Sequence, residues 1–174
     1  MTRIFLIGFM GSGKSYVGKR LAALLQVPFI DLDDYIESEA GISIRRIFEE
    51  SGEQEFRRRE AEALRAMSQY EEAVIACGGG TPCFSDNMAW MNTHGLSIYL
   101  QVPVDLLLQR LILETQHRPL LKKLNEDQLR QYIQTKLKQR EHYYLQASVV
   151  FRQENDGNEI AAALARHLHD ITGH

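Results

Sequence analysis

The sequence predicts an α/β fold: a five-stranded parallel sheet with helices on both faces. Three observations predict it. Apolar, β-rich runs recur at residues 3–7, 28–32, 73–77, 96–102 and 148–152. Segments with helical periodicity lie between and after them, at roughly 14–25, 34–50, 52–68, 85–93, 104–115, 126–146 and 158–171. Strands that alternate with helices imply a parallel sheet buried on both faces. Finally, 174 residues with 44% hydrophobic and 25% charged side chains suit one domain, expected over 1–174, with a full core. No internal repeat, low-complexity tract or linker divides the chain.

The composition excludes several classes of function. With 20 Lys+Arg against 23 Asp+Glu, the formal charge is −3, which offers no global attraction to nucleic acid or to an anionic membrane. Neither partner is expected, and a monomer is. The two cysteines, Cys77 and Cys83, match neither a zinc pattern nor a redox Cys-x-x-Cys, so a reducing cytoplasm is the expected location. Cys77 is expected to pack as a small apolar residue. No run approaches the roughly 20 apolar residues of a membrane span. The apolar start, "RIFLIGFM", only mimics a signal peptide: it is short, and Lys14, Lys19 and Arg20 follow at once.

The first strand, "RIFLI", runs into "GFMGSGKS", Gly8 to Ser15, and a helix follows immediately. This fits G-x-x-x-x-G-K-[ST] at every fixed position and in the right context. Glycines let consecutive backbone N–H groups turn toward one centre, and the helix start adds its positive dipole end. Lys14 would reach the β- and γ-phosphates of a nucleoside triphosphate, and Ser15 would offer its hydroxyl to Mg²⁺.

The second strand ends in "FIDLDDYIE", residues 29–37. Period-two geometry puts Asp31 and Asp33 on one face, and two adjacent carboxylates need a compensating charge. Ligands in such sheets sit beyond the carboxyl ends of the strands, so this pair shares an edge with the phosphate loop, and Mg²⁺ would compensate it. The competing reading is helix capping, which Asp34 can satisfy alone.

Next, Ser51-Gly52-Glu53-Gln54 reads as a capping box that opens the helix carrying "EFRRRE", residues 55–60. At 100° per residue, Phe56, Ala63, Leu64 and Met67 define a buried stripe, Arg58 points away, and Arg57 and Arg59 flank the stripe on opposite sides. Periodicity does not choose between those two. Glu60 falls inside the stripe, where an unpaired carboxylate is costly, so an arginine partner is predicted. The third strand leads into "CGGGTP", residues 77–82, whose bare backbone lets a ligand approach closely. Pro103 and Asp105 open a helix after the fourth strand. In "TQHRPLLKKLNED", residues 115–127, Arg118-Pro119 breaks a helical stretch, and loops of that length are often mobile lids. Arg140 lies in the long helix beyond.

A base-specifying Asn-Lys-x-Asp is absent, and motor or helicase ATPases need domains for which there is no room. A small-metabolite kinase fits best. Gluconate-type kinases and a non-catalytic nucleotide-binding module are the alternatives, although Lys14, Ser15, Asp31 and Asp33 are all intact.

Over nearly the whole chain, the segments "GFMGSGKSYVGKRLA", "DLDDYIESEAGISIRRIFEESGEQEFRRRE", "VIACGGGTP" and "RPLL" closely resemble the shikimate kinase family. The resemblance implies a P-loop, nucleoside-monophosphate-kinase-like fold with a mobile lid, and ATP-dependent phosphorylation of the shikimate 3-hydroxyl on the route to chorismate. It implies that Gly11, Ser12, Gly13, Lys14, Ser15 and Tyr16, with Arg110 and Arg118, bind ATP. Ser15 and Asp31 would serve Mg²⁺, the metal of Asp31 being reached through water. Asp33, Arg57, Gly79 and Arg140 would bind shikimate, the two arginines at its carboxylate, which settles the tie in favour of Arg57, with Glu60 in support. Lys14, Asp33 and Arg118 are the implied catalytic residues, Asp33 orienting or deprotonating the attacking hydroxyl. Three features depart from the family pattern: Tyr16 after Ser15, "HYY" after Arg140, and "LILETQH" before Arg118. All three fall outside the acceptor residues.

Overall fold

The computed structural model describes residues 3–114, 123–153 and 160–172. In chain order the elements are β1 (Ile4–Ile7), α1 (Lys14–Leu25), β2 (Phe29–Asp31), α2 (Leu32–Ala40), α3 (Ile44–Ala66), β3 (Val74–Ala76), α4 (Asn87–His94), β4 (Leu96–Gln101), α5 (Val104–Glu114), α6 (Glu126–Tyr144), β5 (Val149–Arg152) and α7 (Ile160–Thr172). The five expected strands pair in the order β2-β3-β1-β4-β5, all parallel.

Alternation along β1 explains why the sheet is buried on both faces. Phe5 and Ile7 join Ile75 and Tyr99 beneath residues of α2, α3, α4 and α6, among them Ile36, Leu64, Met91 and Tyr144. Ile4 and Leu6 face the other way, onto Val17 and Leu21 of α1 and Leu164 and Leu168 of α7. A third cluster, in which Phe9 packs with Leu107, Leu108, Leu111, Leu129 and Ile133, sets α5 and α6 over the end of β1. Cys77 is buried beside the Met91 sulfur, and burial pushes its thiol pKa up, so it packs as the apolar residue expected.

Two expected boundaries need correction. The segment 34–50 is not one helix. Gly41, at φ 67°, caps α2 by donating to Glu37 O, and Ser43 caps α3 by accepting from the Arg46 N–H. Residues 44–66 instead form one helical run broken at Gly52, with φ 78° and ψ 176°. The break sits where a helix start was expected, yet no reciprocal Ser51–Gln54 bonding accompanies it among the described residues. Such bonding is found at α6, where Asn125 N–H donates to Gln128 Oε1 at 3.0 Å and Gln128 N–H donates to Asn125 Oδ1 at 2.9 Å. That box starts α6 at Glu126, inside the segment read as the lid. Arg118 and most of that segment lie outside the described residues. No described helix is long and apolar enough to cross a membrane.

In this strand order β1 is central: the chain first crosses to one side to build β2 and β3, then to the other to build β4 and β5. The carboxyl end of β1 is therefore the point where the winding reverses, which is where such sheets open a crevice.

Candidate active site

The Gly8–Ser15 loop occupies that crevice. Gly11 and Gly13 take φ of 78° and 86°, which L side chains adopt only with strain. Gly13 caps α1 without any side-chain bond, and no acidic residue occupies the first turn. The helix start is therefore left as an anion site. Lys14 folds over the loop, its Nζ donating to Gly8 O at 2.8 Å and Phe9 O at 3.0 Å. The Ser15 hydroxyl donates to Asp31 Oδ2 at 2.6 Å. Arg110 reaches down from α5 to Gly11 O at 3.0 Å. The Tyr16 side chain is exposed, with the Arg20 guanidinium 3.5 Å from its ring centre.

Asp31 and Asp33 do come together, but not on one face of an extended strand. β2 ends at Asp31, whose Oδ1 accepts the Asp33 N–H at 3.1 Å as the cap of α2. One carboxylate oxygen of Asp31 thus caps the helix while the other accepts from the Ser15 hydroxyl. Asp33, in the first helical turn, is pushed up to a pKa of about 6, chiefly by burial and then by the Asp31 and Glu60 charges, with Lys14 opposing.

On the other side of Asp33, α3 presents Arg57 and Glu60. Arg57 Nη1 donates to Glu60 Oε2 at 2.8 Å, and Glu60 is only 1% exposed. This supplies the partner that the buried stripe required. The Thr81 hydroxyl donates to Glu60 Oε1 at 2.6 Å, so both carboxylate oxygens are engaged. Arg58 turns to solvent and Arg59 is half-buried, and both pair with Glu55.

The glycine run joins the two sides. A Cβ on Gly80 would lie 2.7 Å from Arg57 Nη2, so the guanidinium rests on bare backbone. The same test on Gly78 finds Asp33 Oδ1 at 3.2 Å and Glu60 Oε1 at 3.3 Å; on Gly79 it finds Arg140 Nη1 at 3.5 Å and the phosphate-loop atoms Gly8 O and Met10 N at 3.6 Å. Asp33, Arg57 and Arg140 therefore all come against the Gly78–Gly80 run, and the phosphate loop comes against it at Gly79.

A shikimate kinase family model matches residues 10–169. A shikimate kinase of Parabacteroides distasonis is 42% identical over 173 residues, covering 97% of this chain and 100% of that one. The chain belongs to the shikimate kinase family. A crystal structure of shikimate kinase from Bacteroides thetaiotaomicron superposes with a TM-score of 0.92 at 38% identity, covering 99% of each chain. Shikimate kinase from Acinetobacter baumannii in complex with shikimate gives 0.84 at 35% identity, covering 99% of this chain and 94% of that one.

Within this family fold the structure adds residues that the sequence reading passed over. Tyr144, fully buried and 5.0 Å from the Tyr99 ring, donates its hydroxyl to Gly79 O at 2.5 Å. Burial raises its pKa, so it remains a donor. Its signal was its place four residues after Arg140, on the same helix face. Phe84, whose ring centre lies 4.0 Å from the Arg57 guanidinium carbon, and Thr81 had no comparable signal.

No group of three or more His, Cys, Asp or Glu side chains fit to hold a metal occurs among the described residues. A cation here would rest on the Ser15 hydroxyl and the Asp31 carboxylate, two hard oxygen donors 2.6 Å apart. That set fits Mg²⁺, which keeps several waters and takes substrate phosphate oxygens rather than a full protein cage.

Proposed function

We propose that this protein transfers the γ-phosphoryl group of ATP to the 3-hydroxyl of shikimate, giving 3-phosphoshikimate and ADP. The observation that carries the reading is the arrangement around Gly78–Gly80. Arg57 rests on Gly80, Arg140 and the phosphate loop both come against Gly79, and the Asp33 carboxylate comes against Gly78. An acceptor with one carboxylate and several hydroxyls matches that distribution of charge.

Arg57 and Arg140 bind the substrate carboxylate, with Glu60 and Thr81 holding Arg57 in place. Gly79 offers its backbone N–H. Asp33 accepts a hydrogen bond from the attacking hydroxyl. As the new O–P bond forms and the bond from the β,γ-bridging oxygen to the γ-phosphorus breaks, the hydroxyl proton passes to the Asp33 carboxylate. Its pKa of about 6 leaves it ionised at neutral pH while making it a better acceptor than an ordinary aspartate. The Gly11–Tyr16 segment, through its N–H groups other than that of Ser12, which donates to Phe9 O, holds the phosphates and nucleotide with Lys14 and Arg110, and Lys14 offsets the charge of the transferring group. Ser15 and Asp31 would hold Mg²⁺, which when bound would neutralise phosphate charge.

A cytoplasmic monomer built as a single domain is part of this reading, and light scattering should return a mass near 20.0 kDa. The deciding experiment measures ADP release with ATP and Mg²⁺ in the presence of shikimate, quinate, gluconate or no acceptor. Stimulation by shikimate alone is expected. Stimulation by gluconate would move the protein to another small-metabolite kinase reaction, and nucleotide binding without turnover on any acceptor would leave only a nucleotide-binding module.

A further inference from the structure

Beyond the end of β5, Gln153 is a buried polar side chain, 3% exposed, with both ends of its amide engaged. Its Nε2 donates to Ser12 O of the phosphate loop at 3.0 Å, and its Oε1 accepts from Arg110 Nη2 at 3.2 Å. Arg110 returns to the same loop through its bond to Gly11 O. The backbone N–H of Gln153 donates to Gln101 O at 2.9 Å, extending the β4–β5 ladder by one step. One residue, anchored to the sheet, therefore ties two consecutive loop carbonyls together, one directly and one through Arg110. Ser12 is itself 1% exposed, so no water can readily replace a lost donor there.

We propose that Gln153 is a positioning residue for nucleotide binding: it sets the orientation of the Gly11–Ser12–Gly13 peptides and holds Arg110 beside them. The Ser12 N–H already donates to Phe9 O at 3.1 Å within the loop, but Ser12 O shares its peptide with the N–H of Gly13, the cap of α1; holding that carbonyl fixes the direction of the Gly13 N–H, and anion binding by backbone N–H groups depends on that direction. The inference rests on the nucleotide half of the function proposed above and concerns neither Arg57 nor Arg140.

The test is Gln153→Met, which keeps the size of the side chain and removes the amide. ADP affinity by calorimetry should fall, and the KM for ATP should rise, by about ten- to a hundredfold, the range for leaving a buried group without its partner. The KM for shikimate should stay within about twofold of wild type, a split between substrates that general loosening of the fold would not produce. Unchanged ADP affinity, or equal losses for both substrates, would overturn the proposal. Should the methionine variant fail to fold, Gln153→Glu keeps the acceptor for Arg110 and removes the donor to Ser12. A similar loss of ADP affinity is expected, and wild-type affinity in that variant would overturn the hold on Ser12. Because ADP binding needs no acceptor, a wild type that binds ADP yet ignores shikimate fails the substrate reading alone. The same comparison of variants then still decides the role of Gln153.

Discussion

At the scale of single residues, the burial of Asp33 sets stability against the chemistry proposed for it. Its pKa is 3.8 ordinarily and about 6 in the fold, so the folded chain binds the proton more tightly than the unfolded one. The associated stability is complete below pH 3.8, lost as pH rises through 6, and absent at neutral pH. In the absence of ligands, Asp33→Asn should therefore raise Tm at pH 7.5 by several degrees, and the gain should vanish toward pH 4. A destabilised variant at pH 7.5 would mean that the carboxylate is held by favourable contacts after all. The same variant should lose kcat while still binding ATP, and wild-type kcat/KM for shikimate should rise with pH through about 6. Arg57→Ala is expected to raise the KM for shikimate strongly, since removing one partner of a desolvated charge pair typically costs about 2 to 5 kcal/mol. Arg58→Ala, on the solvent side of the same helix, should leave it unchanged. Equal effects from the two variants would dissolve the distinction drawn between them. The pairing of Glu60 was legible beforehand, because a carboxylate in an apolar stripe requires a partner. Which arginine supplies it was not: Arg57 and Arg59 sit symmetrically about the stripe, and Gly80 and Thr81, brought there by tertiary folding, break the tie.

Elements succeed or fail as predictions according to whether their signals are local. Alternation of strand and helix is local, and all five strands were legible to within about two residues. The division of 34–50 was missed because apolar residues recur across it, although Gly41 and Ser43 stood in view as a stop and a start. Asp31 and Asp33 were brought together by the wrong device: capping turns the chain into α2 one residue past the strand, so a helix N-terminus rather than a pleat sets their spacing. The glycine run was read as an approach for ligand, yet Gly80 also admits a side chain of the protein itself. Gly80→Ala should thus raise the KM for shikimate by about tenfold or more, because a Cβ 2.7 Å from Arg57 Nη2 must displace the guanidinium. Arg57 is a flexible chain at that end, so Tm should change little. A fall in Tm with normal shikimate kinetics would make Gly80 a folding residue only.

At the scale of the molecule, the strand order brings the candidate groups carried on the described strand ends to one edge. β1 ends in the phosphate loop, β2 in Asp31, β3 in Gly78–Gly80, and β5 in Gln153, while the third core cluster fastens α5 and α6 above them. The sequence could show that the strands carry chemistry at their ends, but the order in which they lie is a long-range property that no local pattern encodes. It is this order that brings Ser15 and Asp31 together, so that a cation held there, as proposed, would lie within reach of phosphates in the loop. Ligand stabilisation should separate the two ends. A nucleotide at about a hundred times its Kd stabilises the fold by about 2.7 kcal/mol, a rise in Tm of about 5 to 10 °C for a chain of this size. ADP with Mg²⁺ should give such a shift, and EDTA should remove much of it. Shikimate alone should give a shift that EDTA leaves intact, because Arg57 and Arg140 need no metal to bind a carboxylate. If EDTA abolished the shikimate shift as well, the cation would have to touch the acceptor directly, and the division of labour between Asp31 and Asp33 would have to be redrawn.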